Sequence, residues 1–241
     1  MLADEIINNI PWVLILSFYA ALITMGTKKI YELMISKGFK KNVAVYYNRK
    51  IVHMFAGGIV VLLVPLIFTN QTSDYPYIYP LIIGLILTIF TYIPHKTGKI
   101  LYWLQTKENQ NDVHFCLMWA LIVFFLWILI GDPWIAIIPP TFMAFGDGVT
   151  GVARNALFKK RTKSAVGNIF MVIVSVPLGY YLASLATPSI PWWGVIAALV
   201  ASFVERYEFG PIDDNVLISV SATIILYIGY SLGSLPTLLF G

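Results

Sequence analysis

Four short stretches combine acids, bases and glycines in ways that a plain membrane helix does not require. "AFGDGVTGVARNALFKKR", Ala144 to Arg161, ends the uncharged run Trp134 to Phe145 with a carboxylate between two glycines, Gly146–Asp147–Gly148. On a helix, Gly151 lies one turn beyond Asp147 on the same face. One reading is structural: short polar residues cap helix ends and glycines let helices approach. The other is that the helix breaks or thins here and Asp147 faces a polar cavity. Charge at membrane depth costs about 2.5–3.5 kcal/mol on insertion scales and marks functional paths. "VERYEFGPIDDNVLISV", Val204 to Val220, is broken by Gly210–Pro211, and Asp213–Asp214–Asn215 then opens an apolar run. A helix N-cap uses one such residue, so the second acid is surplus. Two like charges 4 Å apart repel by about 4 kcal/mol at an effective dielectric of 20, a cost that a bound cation reverses. Oxygen-only donors suit Mg²⁺, which takes one or two carboxylates with phosphates and waters.

The other two stretches are basic. In "KKRTKSAVGN", Lys159 to Asn168, Lys163–Ser164 would bring an ammonium, a hydroxyl and helix N–H groups to a phosphate; a simple positively charged loop accounts for the same charges. In "YYNRKIVHMFAGG", Tyr46 to Gly58, His53 lies one turn beyond Arg49 and Lys50 on the same face. The alternative is interface anchoring by the cations and tyrosines, with His53 a packing residue. His95 and His114 sit near the ends of apolar runs and form no constellation. Cys116 is the only cysteine, which excludes an intrachain disulfide and a metal–thiolate site. No His/Cys zinc spacing and no G-x-S-x-G nucleophile motif occurs.

The elements that must position these residues are membrane helices. The chain has 241 residues, 59% of them apolar and 12% charged, against about 25% charged in soluble domains. A spanning helix needs about 20 mostly apolar residues. The sequence reads as a single all-α integral membrane domain over 1–241, a polytopic bundle of eight spans: Ile10–Met25, Ile51–Phe68, Tyr79–Ile93, Phe115–Ile130, Trp134–Phe145, Ala165–Leu185, Trp192–Val204 and Val216–Ser234. The first has neither a basic leader nor a small-residue cleavage pattern, so it is expected to be retained and not to act as a signal peptide. The fifth and seventh are too short to cross alone. Each is expected to continue as helix, past Asp147 and past Glu205, and Pro139–Pro140 should kink the fifth. The segment Lys96 to Val113 suits an amphipathic helix along the interface.

Every Lys and Arg falls in an odd-numbered loop of this arrangement. Lys28 to Lys50 lie in the first, Lys96, Lys99 and Lys107 in the third, Arg154 to Lys163 in the fifth and Arg206 in the seventh. The positive-inside rule makes that face cytoplasmic and puts both termini outside. This distribution also accounts for the formal charge of +4 without a nucleic-acid partner. Eight acids share the basic face: Glu32, Glu108, Asp112, Asp147, Glu205, Glu208, Asp213 and Asp214.

Taken together, four patterns resemble the polyprenol kinase family, which includes dolichol kinases and the phytol and farnesol kinases of plastids. They are Arg49–Lys50–x–x–His53 with the glycines after it, Gly146–Asp147–x–x–x–Gly151, Lys163–Ser164–x–x–Gly167, and Glu205 followed by Asp213–Asp214–Asn215. The resemblance runs from about residue 45 to the end. It implies a CTP-dependent kinase that phosphorylates a membrane isoprenoid alcohol of the dolichol, geranylgeraniol or phytol type. Asp147, Asp213 and Asp214 would hold Mg²⁺. Lys163, Arg49 and Lys50 would neutralise phosphates, with His53, Gly146, Gly148, Gly151, Ser164, Gly167 and Asn215 completing the nucleotide site. Asp147 or Glu205 would accept the hydroxyl proton. The nucleotide would come from the cytoplasm and the alcohol sideways from the bilayer.

The chain departs from the family pattern at Val166, where an acid is common, at Asn168, where a small hydroxyl is common, and over Val216–Ser219. Two alternatives use similar residues. Phosphatidate cytidylyltransferases share a related glycine–aspartate and lysine theme and would release pyrophosphate. A cation-coupled transporter would also carry intramembrane acids, but its site would lie near the midplane of repeated halves, whereas here the charges gather at one face.

Overall fold

The computed structural model describes residues 2–69, 74–158, 162–210 and 212–233, with side chains from residue 7 onward. These residues form eight helical rods and no strand. They are α1 (Leu2–Ser36), α2 (Lys41–Phe68), α3 (Ile78–Thr97), α4 (Asn111–Ile130), α5 (Pro133–Phe158), α6 (Ala165–Ser184), α7 (Pro191–Val204) and α8 (Asp214–Leu232). All but α7 are long and apolar enough to span a bilayer. This is an all-α polytopic helical bundle. Ser234, the last residue of the expected eighth span, lies outside the described residues, as do Lys159, Lys160 and Arg161.

The helix at the centre is α5. Its apolar stretch is 83% buried, against 28–50% in the other long helices. It is not a continuous α-helix. Asp132 caps it, accepting from Ile135 N at 3.0 Å, and Pro133 fills the first turn, where a missing N–H costs nothing. The chain turns at Ile137 and restarts at Ile138, beside Pro139 and Pro140, which have no N–H to donate. A π-helical stretch, Phe142–Gly146, follows, and the α-helix then runs on from Asp147 to Phe158. The expected continuation past Asp147 is therefore present. A second π-helical stretch, His53–Gly58, interrupts α2, and the two pack against each other. Such wide turns shift side chains off the regular helical register. Here one begins at His53 and the other ends one residue before Asp147.

Two expectations are corrected. The seventh rod does not continue past Glu205: α7 stops at Val204, with Glu205 as its C-cap. Its 14 residues cover about 21 Å at 1.5 Å per residue. Close packing on α6 holds it, because Gly179 and Gly194 face each other so tightly that a Cβ on Gly194 would lie 2.1 Å from the Gly179 carbonyl oxygen. Lys96 to Val113 is not an interfacial helix either. α3 ends at Gly98 with φ 72°, and the chain then folds through turns. Trp103 and Leu104 are buried there. Trp103 Nε1 donates to Thr24 O at 3.2 Å, and Asn48 Nδ2 donates to Trp103 O at 3.0 Å. Gln105 takes Leu101 N and Thr91 O as partners for its own amide. These contacts pair polar groups of the buried Trp103–Gln105 stretch.

The first, third, fifth and seventh connections meet at one end of the bundle. Arg49 reaches Asn109 at 3.0 Å, and Lys163 reaches the Glu205 carbonyl at 3.0 Å. At the other end Thr187 N donates to Asp132 Oδ2 at 2.9 Å, and Trp193 Nε1 to Gly233 O at 2.9 Å. This alternation is what eight antiparallel rods produce.

Candidate functional site: buried carboxylates and cations at one end of the bundle

Asp147 stands at the first α-helical residue after the π-helical stretch of α5 and is 1% exposed. Lys50, from α2, pairs with its Oδ2. His53 Nδ1 lies 3.8 Å from the same oxygen. Asp147 Oδ1 has no hydrogen-bond partner among the described residues, and neither ring nitrogen of His53 has one. The imidazole is held flat against Phe115, with ring centroids 3.8 Å apart and planes at 13°. Lys50 fits because residue 151 is glycine: a Cβ there would lie 2.6 Å from Lys50 Cε and 2.9 Å from Tyr46 Oη.

Arg154 and Glu205 make a second buried pair. Arg154 Nη1 and Nη2 donate to the two Glu205 oxygens at 2.7 and 2.8 Å. Nη2 also donates to Asn168 Oδ1 at 3.2 Å and Nε to Ser164 O at 3.0 Å. The amide of Asn168 returns to Glu205 Oε2 at 3.3 Å. Gly167 makes room for the guanidinium, since a Cβ there would lie 2.2 Å from Arg154 Nε. Sequence reasoning placed Arg154 among ordinary loop cations. The available signal was periodicity, because Arg154 follows Asp147 by seven residues and Gly151 by three, on one helix face. Asn168, a departure from the family pattern, is the residue that bridges this pair.

Lys163 joins Glu205 to α8. Its Nζ lies 2.7 Å from Asp214 Oδ2, 3.1 Å from Glu208 Oε1 and 3.6 Å from Glu205 Oε1. Burial works against the ammonium, but Asp214 and Glu205 outweigh it, so the Lys163 pKa is raised and the charge is secured. Carboxylate oxygens of Asp147, Glu205 and Asp214 all lie within 4.8 Å of one another. The three acids that lie together are thus Asp147, Glu205 and Asp214, and not the expected grouping of Asp147, Asp213 and Asp214. Asp213 is the N-cap of α8: its Oδ1 accepts from Val216 N at 3.2 Å and its Oδ2 from Asn215 Nδ2 at 3.3 Å. Burial and the adjacent Asp214 raise the Asp213 pKa.

Other expected residues are placed as follows. Ser164 holds the N-cap position of α6, and its hydroxyl is buried without a partner among the described residues. Asn215 Oδ1 is in the same state. The spaces left by Gly146 and Gly148 are filled by side chains: a Cβ would lie 2.4 Å from Ser175 Oγ and 2.5 Å from Met54 Cγ. Gly146, Gly148, Gly151 and Gly167 therefore give clearance to neighbouring side chains. The histidines set aside from any constellation do have acidic partners. His114 Nδ1 lies 3.0 Å from Asp213 Oδ2, and His95 Nε2 lies 3.1 Å from Asp112 Oδ1. A polar cavity, lined by Arg49, Lys50, His53, Lys163, Asp214 and Asn215 among others, opens on the cluster.

No family model, no curated protein and no solved structure matches the chain.

Proposed function

We propose that the chain is a membrane phosphotransferase that moves the γ-phosphate of CTP, or another nucleoside triphosphate, to an isoprenoid alcohol in a Mg²⁺-dependent reaction. The observation that carries this reading is the convergence of Lys50, Lys163 and Asp214 on one polar cavity, with Asp147 paired to Lys50 and within 4.8 Å of Asp214, and with its Oδ1 left unpartnered among the described residues. Phosphoryl transfer asks a protein mainly for positioning and charge neutralisation, and this set supplies both signs of charge at one place. The charge bias of the loops gives this end to the cytoplasmic face.

The donor set fits a hard divalent ion: Asp147 and Asp214 offer oxygen only, and Asn215, which lines the cavity with Asp214, has an amide oxygen unpartnered among the described residues. A bound Mg²⁺ would neutralise triphosphate charge and fix its oxygens. Lys163 is 28% exposed, the most accessible of the three cluster cations, and exchanges a carboxylate partner for a phosphate oxygen as the nucleotide enters. Lys50, deeper, offsets charge on the transferred group. In the transfer itself the alcohol oxygen forms a bond to the γ-phosphorus, the bond to the β–γ bridging oxygen breaks, and the nucleoside diphosphate leaves with that electron pair. The hydroxyl proton needs an acceptor. Of the two carboxylates open to that role, Asp147 has a free oxygen, whereas both oxygens of Glu205 are bound to Arg154.

Purified protein in detergent, given isoprenoid alcohols and nucleotides labelled at the α- or γ-phosphate, tests this. γ-Label in the lipid fraction is expected. α-Label there, with a lipid phosphate as acceptor and pyrophosphate released, would make the protein a cytidylyltransferase. Neither label with any alcohol or lipid phosphate would overturn the phosphotransfer reading.

A further inference from the structure

A second cavity, of about 530 Å³, lies between α2, α5 and the turn that joins α1 to α2. It shares no lining residue with the polar cavity. Tyr46 and Lys50 of α2 line the polar one, whereas Val43 and Tyr47 line this one. On α5, Arg154 pairs with Glu205, and the next residue, Asn155, lines the second cavity. The turn contributes Lys37, Phe39 and Lys40. The charge here is of one sign. Lys37 and Lys40 are exposed and without an ion-pair partner among the described residues, and no carboxylate lines the space. Lys40 holds the N-cap position of α2 and makes no side-chain capping hydrogen bond, so the positive end of that helix adds to the same field. A second observation is independent of the surface charge. Asn155 is 3% exposed, and its Nδ2 has no hydrogen-bond acceptor among the described residues. Buried donors left unpaired are few in folded proteins, and each asks for an acceptor. Beside these donors the surface is apolar: Phe39, and Leu157 and Phe158 just after Ala156 of the lining, are all exposed.

We infer that this cavity binds the phosphate headgroup of an anionic phospholipid from the cytoplasmic leaflet, between the lysines of the turn and the Asn155 amide. The inference does not depend on the phosphotransferase reading. Cations, a helix start and a spare amide donor together call for an anion with several oxygen acceptors, and a phosphodiester supplies them. The charge bias of the loops gives this end of the bundle to the cytoplasmic face, where anionic lipids gather and where basic pockets between membrane helices hold their headgroups. The volume suits one headgroup, since pockets of about 300–1,000 Å³ hold one small ligand. The exposed apolar side chains beside the donors favour a lipid over a free phosphate ester. Phe39, Leu157 and Phe158 offer a surface to acyl chains, for which a soluble anion has no use.

Native mass spectrometry of the purified protein in detergent tests this, with phosphatidylglycerol and phosphatidylcholine of the same acyl chains as probes. One phosphatidylglycerol is expected to stay bound at concentrations where phosphatidylcholine does not, and to raise the unfolding temperature. Lys37→Glu and Asn155→Ala should each weaken phosphatidylglycerol binding by about fivefold or more, whereas Lys29→Glu, the same charge change at an exposed position of α1 outside the cavity, should alter it by less than about twofold. Lys37 is exposed, so its variant tests the site even where Asn155→Ala lowers the unfolding temperature by itself. Glycerol 3-phosphate carries a phosphate without acyl chains. Its displacing phosphatidylglycerol at similar concentration would make this a site for free phosphate esters and overturn the lipid assignment. Equal retention of the two lipids, or equal losses in Lys29→Glu and Lys37→Glu, would overturn the site and leave only a general basic surface.

Discussion

The two buried ion pairs of the cluster use the same chemistry and end in opposite states. Arg154–Glu205 is closed. Two parallel hydrogen bonds join the charges, Asn168 bridges them, and Ser164 O takes the remaining Nε proton. Bidentate geometry with the spare donors and acceptors satisfied is the condition under which a buried pair offsets its desolvation cost. Lys50–Asp147 is open. One ammonium meets one oxygen, the other oxygen is unpartnered, and an unpartnered imidazole stands 3.8 Å from the pair. Both lie on α5, seven residues apart. The closed pair fastens α5 to the chain after α7, and the open pair keeps bonding capacity that no described residue uses.

Variants can break this contrast. The largest expected effect is structural. Arg154→Met leaves Glu205 buried and unpaired, which should cost about 3–5 kcal/mol and appear as a large drop in thermal unfolding temperature in detergent. Adding Glu205→Gln should recover part of it. The open pair should respond in activity. Asp147→Asn is expected to lower single-turnover transfer by about 10²-fold or more, with a smaller fall in unfolding temperature than Arg154→Met, because the amide oxygen still accepts from Lys50. Asp214→Asn should do the same, and the double variant should lose little beyond either, because members of one catalytic unit are non-additive. Near-normal rate and Mg²⁺ dependence in either single variant would make that residue structural. Lys163→Ala should raise the nucleotide KM or lower turnover by about tenfold through a lost charge-assisted contact, whereas exposed Lys40→Ala should change neither. The smallest effect belongs to Asp213. Replacing it with Ala removes an N-cap worth about 1 kcal/mol and should leave the Mg²⁺ titration unchanged. A shifted titration would return Asp213 to the metal site.

The rods were legible because apolar run length and charge placement act over many residues. The continuation of α5 past Asp147 followed from the same arithmetic. Lys163, Asp147 and Asp214 were legible as charges without enough neighbouring water. What sequence could not convey was which partners two adjacent buried acids take: Asp213 caps its own helix and meets His114, and Asp214 meets Lys163. Arg154 was hidden by its place in a basic loop, since its partner is 51 residues away. The turns over 99–110 were misread as a helix because their apolar residues are satisfied by α1 and α2, through Thr24 and Asn48, and not by lipid.

The shortness of α7 has a consequence for the bilayer itself. Its 14 residues leave about 9 Å of a 30 Å hydrocarbon layer uncrossed. Membranes meet such hydrophobic mismatch by thinning locally around the protein. Glu205 caps that end of α7, with Arg154 and Lys163 against it. A dip at that end would lie beside the charged cluster and would draw the headgroup boundary toward it. Water and polyanions would descend to meet a lipid hydroxyl, so that the hydroxyl need not rise out of the membrane. Lengthening the acyl chains of reconstituted vesicles makes that dip more costly, so activity should fall as the host bilayer thickens.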